Sequence, residues 1–326
     1  MPQAVWFPRP RQVEIRQEPL PPPGPHDVRI EAIASAISHG TEMLVYRGQV
    51  PREFALDLPT LQGSYSFPIK YGYASVGRVA EAGDQVRDLA VGDHVFVHHP
   101  HQTEYVVPAS AAIKLPTSYD PTGGVFLANL ETATTVVLDA APRLGERVAV
   151  FGQGVVGLLI TQLLRRTGAG HIAAIDPIAR RRELARGLGA DEVHASGEAV
   201  EGAEVDLAIE ASGSAAALDQ ALRSVAFGGT VIVCSWYGMK PVPLTLGGPF
   251  HRRRLRIVSS QVSTIDASLQ PRWSRERRLA LVRDLLPRLE LTSLISHRLP
   301  LERAADAYSL IDCHADQTVQ VVLTYA

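Results

Sequence analysis

Three glycines define the chemistry that this chain is built to attempt. Gly152, Gly154 and Gly157 stand in the run Phe151-Gly152-Gln153-Gly154-Val155-Val156-Gly157, a G-x-G-x-x-G spacing that follows an expected strand and opens an expected helix. That context gives the spacing its meaning. Gly152 permits a tight turn, Gly154 lets the backbone approach a pyrophosphate, and Gly157 lets the helix pack closely on the strand. The helix N-terminus adds unpaired N–H groups and a positive dipole end for the phosphates. Gln153, Val155 and Val156 are therefore expected to join the three glycines around a dinucleotide. Asp176 ends the next strand, at about the 20-residue offset where an acidic side chain accepts from the adenosine ribose hydroxyls. Its alternative role is to cap the helix that begins after Pro177. NAD(H) is the expected dinucleotide, with NADP(H) admitted because Arg180 and Arg181 stand near enough to meet a 2′-phosphate.

The elements that must hold this loop follow from pattern. From Ala4 to about Leu115 short β runs are broken by proline and glycine, among them Val28 to Ile37, Ser75 to Ala82, His94 to Val97 and Glu104 to Val107. After Tyr119 apolar strands alternate with helices. The strands are expected at Arg147 to Phe151, His171 to Ile175, Val205 to Glu210 and Thr230 to Cys234. The helices are expected at Thr122 to Ala140, Val155 to Arg166, Ala179 to Leu188 and Ala215 to Val225. That alternation predicts an α/β architecture with a doubly wound parallel-sheet Rossmann domain. The tail adds helices at Ser274 to Leu289 and Leu301 to Ile311, and a strand at Gln320 to Leu323, returning to the first domain.

At 326 residues the chain suits two domains. Its formal charge of −2 and its 20% charged residues give no basic face for nucleic acid. Two cysteines, Cys234 and Cys313, have neither disulfide-framework nor zinc-knuckle spacing, which implies a reducing compartment. No leader-like segment and no run long enough to span a bilayer is evident, so a cytoplasmic location with no membrane partner is expected.

Several stretches together resemble the medium-chain dehydrogenase/reductase superfamily, the zinc alcohol dehydrogenase and quinone reductase group. They are Gly92-Asp93-His94-Val95, Glu104-Tyr105-Val106-Val107-Pro108, Leu144-Gly145-Glu146-Arg147-Val148, Gly187-Leu188-Gly189-Ala190-Asp191 and Glu210-Ala211-Ser212-Gly213. The resemblance implies a GroES-like β domain of residues 1–125 completed by 267–326, and a Rossmann domain of residues 126–266. It implies that Ser212, Gly213 and Arg181 join the dinucleotide site, with an active site in the cleft. Trp236 and Tyr237 follow the Thr230 to Cys234 strand, where they wall the nicotinamide end or, for Trp236, simply fill the core. Ser38-His39-Gly40-Thr41-Glu42, Tyr46-Arg47-Gly48 with Pro51, and His99-Pro100-His101-Gln102 look like the branch containing the bacteriochlorophyllide 3-hydroxyethyl dehydrogenases.

Zinc members of the superfamily carry three protein ligands where this chain has His39, Tyr73 and Ala128. One imidazole does not make a catalytic zinc site, and the cysteine-rich loop of structural zinc is replaced by the short link His98 to Thr103. No zinc of either kind is expected. A competing metal set of His39 with His98, His99 and His101 rests on histidine spacing alone. Without metal, side chains must move the proton and polarise the oxygen. By resemblance Thr41 relays the substrate proton, Tyr73 donates to the developing oxyanion, and His39 ends the relay or merely walls the site. Glu42, His99, His101 and Glu131 are substrate candidates. For Glu42 the alternative is orienting His39 or a turn, for the two histidines solvent exposure, and for Glu131 pairing with an arginine.

The leading expectation is a zinc-independent oxidoreductase interconverting a secondary alcohol and a ketone. A rival reduces a carbon–carbon double bond of an enone or quinone, and a third reading is a nucleotide-binding protein that has lost catalysis. A homodimer is implied by the resemblance, through Leu255 to Ser260 as an outer strand of the nucleotide sheet.

Overall fold

A computed structural model describes residues 1–56, 60–61, 63–116 and 119–325. The chain divides into two compact units, Met1–Ala128 with Leu286–Ala326, and Asn129–Leu285.

The first unit is built on the long strand Asp27–Ile37, which pairs antiparallel with Ser75–Ala82, Glu104–Pro108 and Gln320–Thr324. Along its first half Val28 and Ile30 point into a cluster with Val79, Val95, Tyr105 and Val107, while Arg29 and Glu31 meet Glu104 and Arg78 on the other face. This is the period-2 alternation of a half-covered sheet. Along the second half Ala34 to Ile37 are all buried, because a second cluster closes over them. Phe7, Met43, Tyr46 and Val321 belong to it, as do Leu301 and Tyr308 from the helical return. The edge-on packing of Phe7 against Tyr308, 5.0 Å between centroids, ties the amino-terminal segment to the carboxyl-terminal one.

The second unit is a parallel sheet. Among the described residues its strand order is Glu192–His194, His171–Ile175, Arg147–Phe151, Val205–Glu210, Val225–Val233 and Arg256–Ser259. Numbered by sequence this is 3-2-1-4-5-6, the doubly wound Rossmann order. The order reverses between Arg147–Phe151 and Val205–Glu210, so their carboxyl ends flank the switch point where ligands bind in such sheets. Val148 to Phe151 are wholly buried, as a strand covered by helices on both faces must be.

Where element boundaries depart from the sequence reading, glycine, proline or a distant side chain is the cause. The helix expected from Thr122 begins as a 3-10 turn, Pro121–Phe126, held by Asp120 accepting from the Thr122 N–H at 2.9 Å, and becomes α-helical only at Leu127–Ala140. The strand expected from Thr230 starts at Val225 and carries the exposed Phe227 beside Gly228 and Gly229. The helix Arg275–Leu285 gives way to a 3-10 turn at Leu286–Arg288, which contains Pro287. That helix also lies in the second unit, so the return to the first begins at Leu286 rather than at residue 267. Its buried Arg278 donates to Glu131 Oε1 at 2.6 Å and to Thr135 Oγ1 at 3.0 Å, both on helix Leu127–Ala140.

The glycine loop makes a stringent demand on packing. A Cβ on Gly157 would lie 1.9 Å from the Gly152 carbonyl oxygen, a backbone atom, whereas a Cβ on Gly154 meets nothing within 4 Å. We expect Gly157→Ala to lower the free energy of unfolding by about 2 kcal/mol in a denaturant titration, as overpacking does. Gly154→Ala should stay within about 0.5 kcal/mol of the parent. Equal stabilities for the two variants would contradict this packing.

Candidate functional site

In the second unit the strand Arg147–Phe151 delivers Gly152 at φ +93°, a left-handed conformation suited to glycine, and the chain then enters helix Val155–Leu164 with Gly154 as its N-cap. That N-cap has no side-chain hydrogen bond to the helix, and the face of Gly154 is open. The first turn thus offers backbone donors to an incoming anion over a surface with no side chain in the way. A dinucleotide pyrophosphate fits this cradle. Val155 is buried and Val156 half-buried at the start of the same helix.

Gln153 is fully buried and works structurally: its amide donates to the Val150 carbonyl at 3.2 Å and accepts from Thr161 Oγ1 at 3.1 Å. Its backbone N–H donates to Asp176 Oδ2 at 2.8 Å, while Asp176 Oδ1 accepts from the Ile178 N–H, also at 2.8 Å. Asp176 is not the helix cap weighed for it, because the N-cap of the following helix is Ile178 and makes no side-chain cap hydrogen bond. The carboxylate braces the turn before helix Ala179–Gly187 and ties the glycine loop to the second strand, with Arg181 Nη1 3.8 Å from Oδ2.

Sequence reasoning assigned no role to Glu210, at the end of the strand across the switch point. It is fully buried, and Oε1 accepts from the Ser212 N–H and Oγ, both at 2.6 Å, and from the Gly213 N–H at 2.9 Å. Its Oε2 accepts from the Tyr237 hydroxyl at 2.8 Å. The available signal was an acid at a strand end immediately before Ala-Ser-Gly. Trp236 is 39% exposed, which rules out the core-filling role. Glu131, a substrate candidate, is instead held by Arg278 at 2.6 Å, the arginine pairing that had been its alternative.

In the first unit, Ser38 and His39 lead from the long strand into the helix Thr41–Tyr46. The Tyr73 hydroxyl donates to Ser38 Oγ at 2.6 Å. Burial pushes that hydroxyl up to about 12, against the opposing pull of its hydrogen bond to Ser38 and a weaker one from Thr41. Ser38, Thr41 and Tyr73 thus form one hydroxyl cluster, with His39 half-buried in the same turn.

Three substrate candidates prove to be buried. His101 is wholly enclosed, its Nδ1 2.6 Å from Ser35 Oγ and its Nε2 2.7 Å from Glu42 Oε1. Glu42, equally enclosed, also accepts from the Tyr308 hydroxyl and, at 3.1 Å, from the Ser38 N–H. Ser35 Oγ pairs in turn with the Tyr325 hydroxyl at 2.6 Å. His99 lies flat on Tyr105, 3.7 Å between ring centroids, with Nδ1 2.9 Å from the Pro100 carbonyl oxygen. These side chains are consumed by the interior of the unit and do not face a substrate. Solvent exposure, the alternative for the two histidines, is also overturned.

The same geometry bears on metal. His39, Tyr73 and Ala128 supply one imidazole, a phenol directed at Ser38 and a methyl group. The competing histidine set has lost His99 to its ring stack and both nitrogens of His101 to Ser35 and Glu42. Among the described residues no three histidine, cysteine or acidic side chains come together to hold an ion. These donors do not fit zinc.

Comparison with known proteins decides the family. The alcohol dehydrogenase GroES-like domain pattern matches residues 24–118, and the zinc-binding dehydrogenase pattern matches residues 155–279. The chain belongs to the medium-chain dehydrogenase/reductase superfamily. As a member it is an oxidoreductase that uses a nicotinamide cofactor. It is 29% identical to D-guloside 3-dehydrogenase of Escherichia coli K12, over 92% of this chain and 93% of that one. A protein of Sinorhizobium meliloti 1021 described as a zinc-binding dehydrogenase, solved bound to NADP, superposes with a TM-score of 0.80 at 25% identity over 99% of each chain. A short chain alcohol dehydrogenase of Escherichia coli CFT073, complexed with NADH, shares the fold with a TM-score of 0.81 at 21% identity over 99% of each chain.

The burial of His99 has a measurable consequence. Enclosure holds its pKa down at about 3, against an ordinary value of 6.5, so the folded state refuses a proton that the unfolded chain accepts. Stability is intact above pH 6.5 and falls as pH drops from there toward 3, by up to about 1.4 kcal/mol per pH unit from this group. His99→Phe, which keeps the stack on Tyr105, should flatten that part of the profile in urea titrations between pH 6.5 and 4. An unchanged acid slope would mean that His99 is not the group responsible.

Proposed function

We propose that this protein is a zinc-independent, NAD(P)-dependent oxidoreductase that interconverts a secondary alcohol and a ketone. The observation that carries the reading is the Tyr73–Ser38 contact, a hydroxyl cluster that includes a position where the resemblance to zinc-dependent members implies a metal ligand. Activity on an alcohol is further supported by similarity to a sugar-derivative dehydrogenase along nearly the whole chain.

The bound dinucleotide supplies the hydride acceptor or donor. Everything else falls to side chains. With its pKa near 12, Tyr73 keeps its proton at neutral pH, so it acts as a neutral donor to an oxygen that gains negative charge and not as the resting base. Ser38 and Thr41 both donate and accept, which lets them pass a proton without carrying charge. His39, in the same turn, is the group we assign to the end of that path.

NAD(H) is the preferred dinucleotide in this reading, supported by the acid at position 176. NADP(H) stays admitted because Arg181 is close by. We also place the protein in the cytoplasm as a homodimer joined along the outer strand Arg256–Ser259, where Val258 is exposed. Among the described residues no helix is long and apolar enough to cross a membrane.

Two experiments test the reading. Tag-free protein incubated with stereospecifically deuterated NADH and a panel of ketones and enones should place deuterium on a carbinol carbon, with metal content by elemental analysis far below one zinc per chain. Deuterium on an alkene-derived carbon would establish the double-bond reductase instead, and stoichiometric zinc would refute zinc independence. Tyr73→Phe, which keeps the ring, should lower kcat about 100-fold, the scale of losing one oxyanion donor, while leaving the Kd for NADH unchanged. An unaltered kcat would remove Tyr73 from the chemistry.

A further inference from the structure

Glu210 concentrates more of the dinucleotide unit on one side chain than any role as a strand-end acid requires. Both carboxylate oxygens are enclosed and together accept from four donors on two separate segments, the Ser212–Gly213 turn and Tyr237. The two segments are also joined directly, since the Gly213 N–H reaches Ser235 Oγ at 2.8 Å. The turn itself presses on the glycine loop. A Cβ on Gly152 would lie 2.7 Å from the Ser212 backbone, so the shape of the loop depends on where that turn is held.

We propose that Glu210 is a positioning residue for the dinucleotide site, fixing Tyr237 and the Ser212–Gly213 turn against the glycine loop in the geometry that binds cofactor. The inference rests on the dinucleotide reading of that loop. A carboxylate removed from water is tolerated only when donors surround it, so the charge and the arrangement of its four donors stabilise each other. The Tyr237 hydroxyl, raised by burial and by the adjacent Glu210 charge, remains protonated and acts only as a donor.

The test is a double-mutant cycle on the full chain, with Kd for NADH read from the fluorescence of the bound dinucleotide. Tyr237→Phe deletes one hydrogen bond to a charged group and should weaken NADH about tenfold in protein that remains folded at the assay temperature. Glu210→Gln, which faces four donors with one oxygen and an amide, should weaken it about 30-fold. The double variant should match Glu210→Gln alone, because Tyr237 is held through that carboxylate. KM for the dinucleotide should follow Kd by the same factor in both variants. Wild-type affinity in Tyr237→Phe, or full multiplication of the two effects in the double variant, overturns the proposal. Should Glu210→Gln fail to fold, Tyr237→Phe decides alone. Failure of the wild-type protein to bind NADH would instead overturn the dinucleotide reading itself.

Discussion

A carboxylate taken out of water must be surrounded by donors, and among the described residues that requirement is met at three places. Glu42, Asp176 and Glu210 are all buried, and each accepts at least one backbone N–H from a loop that carries candidate chemistry. The arrangement inverts the usual capping logic. Loops that approach a ligand need backbone donors free of their own side chains, so their shape must be held from behind. A buried carboxylate does this over a short distance, and its desolvation cost makes any alternative loop geometry expensive. Glu42 accepts from the Ser38 N–H, Asp176 from Gln153, and Glu210 from Ser212 and Gly213.

What the sequence made readable was whatever depends on neighbours in the chain. Strands Ser75–Ala82, His94–Val97, Arg147–Phe151, His171–Ile175 and Val205–Glu210 fall on the expected residues, because alternating or continuous apolar runs bounded by turn residues are local signals. The glycine loop was readable for the same reason. The fates of Glu42, His99 and His101 were not. Glu42 meets His101 59 residues away and Tyr308 266 residues away, and no local spacing announces such partners. The segment His98 to Thr103 reads as a polar surface link, yet His99 stacks on Tyr105 and His101 fills the space beside Gly72. Glu131 had the same ambiguity in sequence, settled only by the approach of Arg278 from another helix.

The interior network of the first unit also restricts which groups remain for proton chemistry. His101 and Glu42 would be the natural acid–base pair by residue type, but each is enclosed and fully engaged, with Ser35, Tyr308 and Tyr325 completing the set. A proton passing to them would have to cross a sealed interior. Tyr73, Ser38 and Thr41 keep their hydroxyls at the turn that leaves the strand, and His39 lies in that turn. The buried pair instead supports the catalytic candidates indirectly, because Glu42 holds the Ser38 backbone and Ser38 holds the Tyr73 hydroxyl.

On the proposed dinucleotide reading, Asp176 serves structure and recognition together. An ionised carboxylate has about four lone-pair sites, and the two backbone N–H groups of Gln153 and Ile178 occupy one on each oxygen. Acceptor capacity for ribose hydroxyls therefore survives on both. The charge, however, is shared with the glycine loop, so changing this residue alters the shape of the pyrophosphate cradle as well as the preference at the ribose. Arg181 sits 3.8 Å from the same oxygen, which places the cation that would favour a 2′-phosphate under the influence of the anion that disfavours one. On the proposed dinucleotide reading, cofactor choice becomes a balance struck within one ion pair. The carboxylate of that pair also helps hold the loop in place, through the Gln153 N–H.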